Sequence, residues 1–100
     1  MSSYLVLVNL TDQGIRSIKD TVKRADAMTE LAGKFGVKVK EIYYTVGIGG
    51  AYDIVCLFDA PDDASFSAFG LAIQSGGNLR AQSLRAFSKA EMSQILAKLG

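Results

Sequence analysis

The 100-residue sequence predicts an α+β fold with the element order β-α-β-β-α-β-α. Three observations carry this. Short β-rich apolar runs alternate with segments whose apolar residues recur every three or four positions. A glycine-rich turn, "GIGG" (47–50), joins two of the runs directly, as a hairpin does. The stretches on either side of that hairpin share a loose β-α-β plan, the signature of a ferredoxin-like sandwich.

The elements follow in order. "YLVLVNL" (4–10) is a strand, ended by "TDQG". From Ile15 to Phe35, the residues Ile15, Ile18, Val22, Ala25, Met28, Leu31 and Phe35 form one apolar stripe, so a single amphipathic helix is expected, closed by Gly36. "VKVKEIYYTV" (37–46) and "AYDIVCLFDA" (51–60) are the hairpin strands. Pro61 stops the second. Asp62 or Asp63 then caps a helix over about 63–74, with Phe66, Phe69 and Ile73 on its apolar side. "LRAQSLRAF" (79–87) is the fourth strand. Ser88 and Glu91 in "SKAE" make a capping box that opens a last helix carrying Met92, Ile95, Leu96 and Leu99.

Right-handed crossovers place the first and third strands in the middle, in the order 4-1-3-2, with both crossover helices on one face. Strands covered on one face should alternate polar with apolar. The first strand does not, with Tyr4, Val6 and Val8 on one side and Leu5 and Leu7 on the other. The third is alike, with Ile54, Cys56 and Phe58 opposed to Val55 and Leu57. The last helix, about 18 Å long, covers at most part of the second face. A second copy packed sheet to sheet is therefore expected, giving a homodimer or a multiple of one.

Composition narrows the function. Eleven basic and ten acidic residues leave a net charge of +1, which offers no footprint for nucleic acid and no basic anchor for a membrane. The aliphatic run Leu5–Val8 is too short for a signal-peptide core or a membrane span. The single cysteine, Cys56, fits a cytoplasmic protein. Histidine is absent, which removes the usual general base, the Ser-His-Asp arrangement and histidine metal sites. No metal and no cofactor is expected.

Three loops meet at one end of this topology: "NLTDQG", "VGIGGAYD" and "SGGNLR". They bring Asn9, Asp12, Tyr52, Asp53, Asn78 and Arg80 toward one another, and an Asp53–Arg80 ion pair across the first strand is expected. Asn9, Tyr52, Asp53, Asn78 and Arg80 form a candidate site for a small anionic ligand. The same residues equally serve to tie the loops together. Arg80 and Arg85, five apart on one strand, point to opposite faces and cannot form a joint clamp. Tyr43, Tyr44 and Tyr52 read as core or interface residues, Lys38 and Lys40 as guards of an edge strand, and Cys56 as an inert buried thiol. The glycines of "GIGG" open no helix, so they read as a turn and not a phosphate cradle.

"YYTVGIGGAYDIVCLFDAPDD" with "AFGLAIQSGGNLRAQSLRAF" resembles the GYD domain family, small proteins of uncharacterised function. Gly50, Tyr52 and Asp53 are present, with Ala51 intervening. The resemblance covers nearly the whole chain as one domain, 1–100, and implies a dimeric α/β-barrel. That group includes cofactor-free oxygenases, haem-degrading enzymes, stress proteins and amino-acid-binding regulators, so fold alone selects no reaction. Two readings follow. One is a non-enzymatic homo-oligomer binding a small ligand or a protein. The other is a cofactor-free oxygenase or isomerase, with Tyr52 and Asp53 as acid and base and Arg80 orienting an anionic substrate.

Overall fold

A computed structural model describes residues 1–100. The elements are β1 (Ser2–Leu10), α1 (Asp12–Arg16), a 3₁₀ turn (Ile18–Asp20), α2 (Thr21–Lys34), β2 (Lys38–Tyr44), β3 (Ile54–Ala60), α3 (Asp63–Gln74), β4 (Leu79–Ala86) and α4 (Lys89–Ala97). The strands form one antiparallel sheet in the order β2-β3-β1-β4, the expected one.

The alternation along β1 and β3 sorts residues between two faces. Tyr4, Val6, Val8, Ile54, Cys56 and Phe58 point toward the helices and are buried. Above them α3 lays Phe66 and Phe69. Tyr4 stacks on Phe66 at 4.1 Å, and Phe58 meets Phe69 edge-on at 5.5 Å. This aromatic group is the densest part of the core. Asp62 caps α3 by accepting from the Ser65 amide, and that hydrogen bond holds its carboxyl below the usual range. Asp63 instead accepts a hydrogen bond from the Tyr4 hydroxyl.

Three expectations need correction. The long first helix is interrupted. Gly14 lies so close to the opposite loop that an added Cβ would sit 2.0 Å from the Asn78 carbonyl oxygen, which fixes the first turn in place. Ser17 follows with a non-helical ψ of 29°, its hydroxyl donating back to the Gln13 carbonyl. The chain then makes one 3₁₀ turn and restarts as α2 at Thr21. Ile15, Ile18 and Val22 consequently end up exposed, so the half-buried stripe begins only at Ala25.

The hairpin strands are shorter than expected, because Thr45 closes the loop early. Its amide donates to the Asp53 carbonyl (2.8 Å) and its hydroxyl to the Tyr52 carbonyl (2.6 Å). Gly47 and Gly49 turn the backbone between them with φ of 95° and 78°. Lastly, α4 covers none of the sheet's second face. The expected capping box is formed, with Ser88 accepting from the Glu91 amide and Glu91 from the Ser88 amide. Yet no residue of α4 is buried, and Met92, Leu96 and Leu99 face outward. The molecule measures 52 × 31 × 17 Å, and its radius of gyration of 14.8 Å exceeds the ~13 Å of a compact chain of this length.

Candidate functional site

The sheet's second face is bare. Leu5 and Leu7 of β1, Val55 and Leu57 of β3, Leu84 of β4 and Tyr43 of β2 make its centre, paired across the strands. Leu84 and Tyr43 are 50% and 60% exposed, too much for residues with a settled packing partner in this chain. A polar rim surrounds them. At one end Ser3 donates to Asp59 (2.7 Å), and Asp59 pairs with Lys40 (3.7 Å) on the edge strand. At the other end Asn9 and Arg80 stand opposite each other. The Tyr52 hydroxyl donates to Gln82 (3.0 Å), the cross-strand partner of Leu7.

The loop residues are therefore gathered at one end of the sheet, though by other bonds than expected. The Asp53–Arg80 ion pair is not formed. Asp53 Oδ2 accepts from the Leu10 amide at 2.8 Å, while the Asp53 amide donates to the Val8 carbonyl. With its carbonyl bound by Thr45, Asp53 ties the end of β1 to the hairpin on both sides. A free strand-end amide is nearer to it than the guanidinium, and that amide needs an acceptor. Asn78 belongs to a second lock. Its carbonyl accepts from the Thr11 amide (3.0 Å) and its side-chain oxygen from Gln13 Nε2 (2.9 Å). Thr11 Oγ1 adds a bond to the Gly77 carbonyl. Asp12 sits exposed in the first turn of α1.

Arg80 and Arg85 do lie on opposite faces. Arg85 lies over Phe87 (4.5 Å) and Tyr4 (5.6 Å) and donates to the Ser3 carbonyl. Arg85 thus packs on aromatic rings and forms no ion pair within the chain.

A further feature was not foreseen. Between α2 and the helix-side face of the sheet lies a cleft of about 270 Å³. Val8, Ile54, Cys56 and Phe58 are among its sheet-side lining, and Met28 and Leu31 line it from α2. Thr21, Arg24 and Asn78 are the non-hydrophobic lining residues. Desolvation by the apolar surroundings raises the Cys56 thiol to about 11.

The strand order, with crossover helices on one face, defines a ferredoxin-like α+β protein. Residues 4–96 match the GYD domain, and the chain belongs to that family. It is 30% identical over 93 residues to the glutamine synthetase and cystathionine beta-lyase binding protein of Thermus thermophilus, covering 92% of this chain and 95% of that protein. A crystal structure provisionally described as a chlorite dismutase has the same fold, with a TM-score of 0.58 at 16% identity. The match takes in 96% of this chain but 48% of that one, so this chain spans about half its length.

Proposed function

We propose that this protein is a self-associating binding module, in which the bare sheet face packs against the same face of a second copy and the outer surface takes partner enzymes. The observation that carries the reading is the apolar centre of that face, with its polar rim. An isologous two-fold contact would place Leu5, Leu7, Val55 and Leu57 of both copies in one interface core, and Asn9, Arg80, Gln82 and Lys40 around it. The exposed apolar side of α4 supports the same arrangement, since a second copy supplies a surface that its own chain does not. The named binding of two enzymes by the Thermus thermophilus relative supports the partner class. Occupation of the Asp53 carboxylate by the Leu10 amide favours this reading over a Tyr52–Asp53 acid–base pair. We place the module in the cytoplasm, a compartment in which a lone thiol such as Cys56 stays reduced.

Leu57→Glu sets a charge in the middle of the face. In size-exclusion chromatography it is expected to elute as a monomer with an unchanged far-ultraviolet circular dichroism spectrum. A variant that still elutes with the unmodified protein would place the contact elsewhere. Glutamine synthetase and cystathionine beta-lyase, immobilised in turn, test the partner class. Saturable binding to at least one supports it, and no binding to either removes it.

A further inference from the structure

The geometry points to the cleft beneath α2 as a binding site for a small apolar carboxylate, its carboxyl group held by Arg24 and its body lying against Val8, Ile54, Cys56 and Phe58. This concerns the helix-covered side of the sheet, so it stands or falls separately from the self-association proposed for the bare side. Three observations carry it. The cleft is large enough for a ligand: an engineered apolar cavity of about 150 Å³ accepts benzene, so about 270 Å³ suits a body on the order of ten carbon atoms. Its lining is hydrophobic apart from Thr21, Arg24 and Asn78, the usual build of a small-molecule site with a few polar groups that fix orientation.

The third is electrostatic. Arg24 is the only charged residue in the lining; Asp26, near enough to Tyr44 of that lining to raise its phenol, forms no ion pair with Arg24. Arg24 is half-buried and forms no ion pair; the one pair in the molecule joins Lys40 to Asp59. A guanidinium that is partly desolvated beside apolar walls, with no carboxylate of its own, attracts an external one, and its planar fork matches that group's geometry. A cationic ligand is disfavoured by the same charge, and a neutral one gains nothing from it. The Asn78 side-chain NH2 adds donor capacity at the same cleft, its oxygen being taken by Gln13, whereas the Thr21 hydroxyl already donates to the Ile18 carbonyl. The Gly14–Asn78 contact also holds Asn78 where it lines the cleft.

The test uses three probes with the same tail, namely octanoate, 1-octanol and octylamine, titrated into the full chain and followed by calorimetry and methyl NMR. Octanoate is expected to bind saturably, about tenfold more tightly than octanol, with octylamine weaker still. Shifts should fall on Val6, Val8 and Ile54, not on Leu5, Leu7, Val55 and Leu57. Arg24→Gln should lower octanoate affinity by about tenfold, to the level of octanol, while octanol binding stays as it was. That pattern separates loss of charge from loss of fold. Met28→Phe, which narrows the cleft from the helix side, should weaken both probes. The proposal is overturned by any of three results: no saturable octanoate binding, an octanoate preference that survives Arg24→Gln, or shifts confined to the bare face.

Discussion

The two faces of this sheet are built from equally apolar residues and have different fates. On one, Val6, Cys56 and Phe58 lie under helices and are buried. On the other, Leu5, Leu7, Val55 and Leu57 are only half-covered, by their strand neighbours and nothing above. Hydrophobicity alone does not distinguish the faces. The difference comes from connection handedness, which sends both crossover helices to the same side. A face left apolar under that constraint is a surface for another molecule, whereas a face meant for solvent would carry polar residues.

The largest expected effect lies on the covered face. Phe69 is fully buried among Phe35, Phe58 and Phe66, so Phe69→Ala should lower the free energy of unfolding by about 3–5 kcal/mol. Well below its melting temperature that variant should keep the assembly state of the unmodified protein, the reverse of Leu57→Glu. Equilibrium denaturation and size-exclusion chromatography run side by side separate the two. A Phe69→Ala cost below about 1 kcal/mol would mean the helices are not packed as described.

Next come the locks where the faces meet. Asp53→Ala leaves the Leu10 amide without its carboxylate acceptor, at a cost of about 1–3 kcal/mol in thermal or chemical unfolding, while the backbone bond from Thr45 stays. Arg80→Ala, although the two residues lie at the same end of the sheet, should cost less than about 0.5 kcal/mol, because it has no ion pair to lose. Equal costs for the two would restore the ion pair that the structure replaces.

A smaller effect is pH-dependent and belongs to the covered face. Burial raises the Cys56 thiol from 9.0 to about 11. Its neutral form is favoured in the folded state, so its contribution is full below about pH 9 and is lost as pH rises toward about 11. Melting temperatures should fall across that window, and less steeply in Cys56→Ala. Burial and the bond to Asp63 shift Tyr4 upward as well, adding to the fall above pH 10 in both proteins. Parallel slopes in the two proteins would show that the thiol is not buried. At the acid end the signs reverse. Hydrogen bonds from the Ser65 and Ser88 amides lower Asp62 and Glu91, so those caps stabilise above the ordinary carboxylate range and weaken as pH falls through it.

Much of this was legible in the sequence, where a signal was local or followed from connection rules. Strand order, the α3 cap, the Ser88–Glu91 box and the bare face all belong to that class. The break before α2 was not, because its cause is a contact between Gly14 and Asn78, residues 64 positions apart, and the periodic stripe runs straight through it. Asp53 misled for a related reason. Its partner is a backbone amide, which every residue but proline carries, so no residue type marks it. The cleft had no signature either. From sequence alone Arg24 reads as a solvated helix charge, since nothing in its neighbours along the chain marks the cleft that it lines. The "GIGG" turn was read correctly, since glycine at positive φ is a local requirement, whereas Tyr43 and Tyr44, expected in a core or an interface, are exposed in this chain.

Sedimentation velocity on the unmodified protein at micromolar concentration tests the central claim most directly. The account predicts a homodimer or a multiple of it, with no more than a minor monomer boundary. A monomer with a cooperative melting transition and a dispersed NMR spectrum would contradict it, because the bare face of Leu5, Leu7, Val55 and Leu57 would then be stable in water.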